Sequence, residues 1–148
     1  MHSKLKFGFG LLALCLQISC GKPHLDTTKK EPLTWRTVAG EWAGQCDLKV
    51  EIVSVTKHIT FHLTGTSDGK VIGTYAVEDG TEWSGGVSGE IASDEFNFTL
   101  DQTSKCKGQY SGTAYLQDGS LHAVFSGHDC YGSNTSAVGD FQLQLPKS

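Results

Sequence analysis

The sequence predicts an all-β domain of eight antiparallel strands in up-and-down order, closed into a barrel or, alternatively, stacked as a β-sandwich. Three observations predict it. Apolar residues recur at every second position in run after run, turn signals of the Asp-Gly kind separate the runs, and no stretch beyond the leading segment carries a helical period. The composition agrees: 18 glycines, three prolines and one methionine in 148 residues suit a turn-rich β chain. That length leaves room for one domain with a real core once a targeting segment is set aside.

The strands follow in order. Trp35 to Cys46 (WRTVAGEWAGQC) opens the domain, and residues 48–55 continue it with Leu48, Val50 and Ile52 in alternation. Gly44 is a natural bend point, and the whole region counts as one strand. His58 to Thr64 places Ile59, Phe61 and Leu63 on one face, before a Ser67-Asp68-Gly69 turn. Lys70 to Val77 aligns Val71, Gly73, Tyr75 and Val77, and Asp79-Gly80 turns the chain into Glu82 to Ile91. There Trp83, Gly85, Val87, Gly89 and Ile91 share a face. Glu95 to Asp101 offers Phe96, Phe98 and Leu100, and the last strand, Val138 to Leu145, offers Phe141, Leu143 and Leu145. Inward glycines suit the tight coiling of a small barrel, and closure removes the exposed strand edges that a sandwich keeps.

The strongest local signal is the hairpin between Lys107 and Cys130. Two alternating runs, Tyr110 to Leu116 and Leu121 to Phe125, flank Asp118-Gly119, whose residues suit the two positive φ angles of a tight hairpin turn. With the turn centred there, Cys106 faces Tyr131 and Cys130 faces Lys107. The two sulfurs then meet at the hairpin base, and a Cys106–Cys130 disulfide is expected. Cys46 is left as a free thiol, or as a competitor for either partner.

The leading segment has the grammar of export. His2, Lys4 and Lys6 precede an uncharged run from Phe7 to Ile18, too short to span a bilayer as a helix. Its ending, Leu16-Gln17-Ile18-Ser19-Cys20-Gly21, resembles the cleavage box of bacterial lipoproteins, with Gln17 where that family usually has an apolar residue. The resemblance implies a signal peptide over 1–19, a diacylglycerol-bearing Cys20 as the mature N-terminus, and the lipid bilayer as partner. Gly21 after the cysteine implies, by the same resemblance, the outer membrane. Residues 20–34 then read as a polar tether with two prolines, and 35–148 as the barrel domain.

Charge excludes one class of partner. From Trp35 onward seven Lys and Arg face fourteen Asp and Glu. An acidic domain without a basic stripe does not bind a phosphate backbone well, so no nucleic acid is expected. Catalysis is not expected either. His58 and His62 share a strand face but stand about 13 Å apart, too far to chelate one metal by themselves. In His128-Asp129-Cys130, neighbours on a strand point to opposite faces and Cys130 already has a structural partner. No phosphate-cradling loop or nucleophile elbow occurs. Neither a cofactor nor a metal is implied.

Two further resemblances concern the barrel. Gly40-Glu41-Trp42 resembles the Gly-x-Trp that opens avidin- and lipocalin-type barrels, Val71-Ile72-Gly73-Thr74-Tyr75 resembles an avidin strand, and Gly127-His128-Asp129 resembles a late avidin motif. In avidins the positions of Tyr75 and Asp129 hydrogen-bond the ligand. Here Gly44 replaces their ligand-binding Asn, and the tryptophans of the biotin cage have no counterparts. The early Gly-x-Trp with a nearby Cys, Gly40 to Cys46, is also similar to periplasmic metalloprotease inhibitors. Three functional expectations follow: a non-catalytic binding or structural lipoprotein at the cell envelope, a lipocalin-like carrier of a small apolar ligand, or a periplasmic protease inhibitor. The carrier needs an empty interior, yet Phe61, Tyr75, Trp83, Phe96, Phe98, Phe125 and Phe141 look sufficient to fill eight strands.

Overall fold

The computed structural model describes residues 29–81, 83–105, 107–128 and 136–145. It is a closed antiparallel barrel in which each strand pairs with the next and β8 returns to β1. The strands are β1 Gly40–Val50, β2 Val53–Gly65, β3 Lys70–Val77, β4 Ser84–Ala92, β5 Glu95–Gln102, β6 Gly108–Gln117, β7 Ser120–His128 and β8 Ser136–Gln144. The barrel alternative is therefore the right one, and the sandwich is not.

The alternation does what it predicts. Ile59, Phe61 and Leu63 are buried on β2, Phe96, Phe98 and Leu100 on β5, and Leu121, Ala123 and Phe125 on β7. Between them His62, Ser88, Asn97 and Asp101 face out, so the wall is polar outside and apolar inside, the opposite of a lipid-facing barrel. The Asp118-Gly119 hairpin has the expected register, with Tyr110 opposite Gly127 and Gln109 opposite His128. Asp118 and Gly119 take φ of 51° and 70°, the paired positive values that turn requires.

Four boundaries differ from the sequence reading. Residues 48–55 are not one run, because Val50 pairs with Val53 and the chain reverses at Glu51-Ile52. Glu51 adopts φ of 53° without any Gly or Asn to announce it, and Ile52, expected inside, is 94% exposed at the tip. Leu145, also expected inside, lies beyond the end of β8 and is half exposed.

Trp35 does not begin a strand. Trp35–Val38 form a single helical turn, α1, closed by a reciprocal cap in which the Thr34 hydroxyl accepts from the Thr37 N–H at 3.2 Å and the Thr37 hydroxyl accepts from the Thr34 N–H at 2.8 Å. One turn is too short to print a helical period. The described end of the segment read as tether is docked rather than loose: Leu33 is buried, the Glu31 N–H donates to the Leu116 carbonyl at 2.8 Å, and Lys30 pairs with Glu95 at 2.8 Å.

The barrel has two unlike ends. At one end, Leu33 and Val38 are buried in the core cluster and α1 packs on β2 and β3, beside the turns 66–69, 93–94 and 118–119. At the other lie the Glu51-Ile52 turn, the short turn Glu78–Gly80, the last residues of β5 and β7 and the first residues of β6 and β8. These are called the plugged end and the loop end below.

Candidate functional site

The plugged half of the interior is filled. Phe61 and Phe141 pack with tilted rings at 5.1 Å between centroids, Phe96 and Phe98 at 5.5 Å, and Phe98 and Phe141 at 5.8 Å. Such ring pairs add to the burial term and leave little room between strands. The aromatic filling expected from the sequence is present, with Trp83 half-buried against the core.

Toward the loop end the described residues enclose a small space. A cavity of about 30 Å³ is bounded by Cys46, Lys57, Tyr75, Trp83, Gln102 and Tyr110, together with apolar neighbours such as Leu100 and Phe125. It is room for one or two waters, an order of magnitude below the 300–1,000 Å³ of drug-sized ligand sites. Its lining is unusual for a barrel core because it brings an amide, an ammonium, a thiol and two phenols together. Gln102 is 3% exposed and Tyr75 is 4% exposed, whereas Lys57 is half-buried.

Strand parity explains how these side chains arrive there. Lys57 stands two residues before Ile59 and Gln102 two residues after Leu100, so both continue an inward stripe beyond its last apolar member. Sequence reading passed over both, because it closed the β2 run at His58 and the β5 run at Asp101. Extending each stripe by one step would have found them.

Cys46 is free and buried, paired in register with Lys57 on β2 and Phe141 on β8. Burial, with help from the Asp140 and Asp47 carboxylates, pushes its thiol from 9.0 up to about 12. A thiol held protonated is a poor nucleophile. The sign of the pH dependence follows. The folded chain keeps this proton while the unfolded chain releases it near its ordinary value, so the contribution of Cys46 to stability is intact below about pH 9 and is lost as pH rises toward 12. Urea midpoints of the wild type are expected to fall more steeply than those of Cys46→Ala across that window. Parallel pH profiles would remove the assignment.

Of the other residues singled out from sequence, Tyr75 faces this cavity and stacks on Phe61 at 6.0 Å. Asp129, Cys20, Cys106 and Cys130 lie outside the described residues. Of the residues that adjoin them, His128, just before Asp129, ends β7 opposite Gln109. Among the described residues no three His, Cys, Asp or Glu side chains come together to hold a metal. His62 is engaged with Glu41 at 3.6 Å, and His122 is stacked on Tyr115 at 5.5 Å.

No family model and no curated protein matches the sequence. Among solved structures the chain is similar to a protein with unknown function of the DUF3598 family from Nostoc punctiforme. The TM-score is 0.46 at 14% identity, over 78% of this chain and 51% of that one. This chain therefore spans about half the length of that protein.

Proposed function

We propose that this chain is an exported lipoprotein whose barrel serves as a non-catalytic binding or structural module at the cell envelope, anchored through an acylated Cys20. The observation that carries the reading is the box Leu16 to Gly21 closing an uncharged run, followed by a barrel with a polar outer wall. The filled aromatic interior supports it further, since a barrel without a large cavity is better suited to presenting its surface than to carrying a lipid-sized cargo. Gly21 in the position after the cysteine favours the outer membrane.

Anchoring also orients the barrel. Eight residues, Gly21 to Thr28, separate the anchor from the first described residue, and the nine steps from Cys20 to Lys29 reach at most about 30 Å. Lys30 and Glu31 are fastened at the plugged end, through Glu95 and through the Gly119 N–H, which donates to the Glu31 carboxylate at 2.9 Å. Lys30 also sits 4.5 Å above the Tyr115 ring. On this reading the plugged end faces the bilayer and the loop end faces away from it.

Metabolic labelling with radioactive palmitate tests the proposal. The wild type is expected to incorporate label and to sediment with membranes, and Cys20→Ser to lose both properties. An unlabelled wild type, or a mature N-terminus other than Cys20, would overturn it.

A further inference from the structure

The strands of this barrel are unequal in length, and β2 outruns its neighbour. It extends from Val53 to Gly65, but among the described residues β3 pairs with it only over Ile59 to Gly65. Over residues 53–56, β2 is paired with β1 on one side and with no described strand on the other. Parity fixes which backbone groups face that open side. Val50 and Val53 flank the two-residue Glu51-Ile52 turn, so the odd residues of β2 exchange their bonds with β1. The even residues point the other way. Two bonds agree with this. The Thr66 N–H donates to the Lys70 carbonyl at 2.8 Å, on the β3 side, and the His58 N–H donates to the Glu78 carboxylate at 3.0 Å. Glu78 thus stands where the carbonyl of a next strand would be. Beyond it Ser54 and Thr56, both exposed, direct N–H and C=O groups toward the open side.

An edge of this kind accepts another strand. Residues 53–56 read Val-Ser-Val-Thr, a strand-forming run without the proline or charge that guards many edges. The surroundings favour a positively charged occupant. Asp47 and Asp140 are register partners on the outer face, and Asp47 accepts from the Thr56 hydroxyl. Glu51 stands at the turn, and Glu78 and Asp79 stand at the far end of the open edge. Against these five carboxylates are Lys49, across from Ser54, and Lys57, which turns inward. The exposed Ile52 and Val53 add an apolar ledge at the tip.

We infer that residues 53–56 of β2 bind an extended basic segment of a partner protein, added as an antiparallel strand like every other pair in the barrel. Its backbone would bond to Ser54 and Thr56. Alternate basic side chains would lie on the outer face, toward Asp47, with apolar ones between them beside Val53 and Val55. A second copy of this chain suits the edge less well, because antiparallel pairing of two such edges brings Glu51 of one copy toward Glu78 of the other. This inference goes beyond anchoring and does not depend on it.

The test is a titration of the full-length chain with a capped hexapeptide of alternating lysine and valine, followed by the amide resonances of Ser54 and Thr56. Saturable shifts and slower hydrogen exchange at both amides are expected in the wild type and equally in Cys20→Ser, so a failure of lipidation leaves the result readable. The same peptide with glutamate for lysine is expected to bind about tenfold more weakly or not at all. N-methylation of the peptide's lysines, whose N–H groups face Ser54 and Thr56, is expected to abolish binding, and N-methylation of its valines to change it by no more than about threefold. Ser54→Pro removes one outward N–H without touching the bonds to β1, and a loss of about tenfold is expected. Should Ser54→Pro fail to fold, the methylated peptides make the same comparison on the unaltered chain. Absence of saturation at millimolar peptide overturns the inference, and so does equal binding of the acidic or the lysine-methylated peptide. Protection of Ser54 and Thr56 that rises with protein concentration alone would assign the edge to a second copy and overturn the choice of partner.

Discussion

Gly44→Ala is expected to lower the unfolding free energy by about 3 kcal/mol, at the upper end of the range for overpacked interiors, or to prevent folding outright. The reason is geometric. Gly44 lies in the seam where β1 meets β8, opposite Leu143, and a Cβ placed there would stand 2.0 Å from the Gln142 carbonyl oxygen and 3.0 Å from the Leu143 Cα. Both obstacles are backbone, so no rotamer change relieves them. The strands would have to part, and because this seam closes the barrel, parting them exposes two edges together. Gly86→Ala is the control. A Cβ there meets nothing within 4 Å, on β4 of the same barrel, and its effect is expected to stay within about 0.5 kcal/mol. Urea denaturation of the two variants beside the wild type gives the comparison, and equal midpoints for Gly44→Ala and Gly86→Ala would refute the account of the seam.

Gly44 also shows where the sequence is legible and where it is not. A glycine in a run of alternating residues marks a place where something comes close, and the bend point was readable on that ground. What comes close is the last strand, about a hundred residues later in the chain, and no local pattern announces that. Strand number, antiparallel order and the β6–β7 register were readable because they follow from period two and from Asp118-Gly119. The Glu51-Ile52 reversal was not, since Glu51 reaches a positive φ under tertiary constraint and Ile52 continues the alternation while pointing into water. The candidate site was half legible. Tyr75 and Tyr110 were placed inward from their stripes. Lys57 and Gln102 were not, because a polar residue at the end of an apolar stripe reads as the end of the strand.

One side chain from β1 joins the barrel to α1. Trp42 is 1% exposed, and its indole Nε1–H donates to the Val38 carbonyl at 2.9 Å. Its ring is thus core to the barrel, and its N–H holds the last residue of α1. This gives the Gly40-x-Trp42 step a physical role that needs no ligand. Gly40 takes φ of 137°, a backbone angle that side chains rarely adopt, so that the chain can leave the plug and enter β1; two residues later the indole reaches back to fasten it. Trp42→Ala is expected to cost about 3–5 kcal/mol, the loss typical of truncating a buried tryptophan. Trp42→Phe separates the two roles. It retains most of the packing and leaves the buried Val38 carbonyl without this donor, so a loss of about 1–3 kcal/mol is expected. Hydrogen exchange should locate that loss: the Val38 amide, bonded to the Thr34 carbonyl at 3.0 Å, should exchange faster in Trp42→Phe while the β5 and β6 amides stay protected. Uniform acceleration across all strands would mean that the plug and the barrel unfold as one unit, and that the indole bond has no separate role in holding α1.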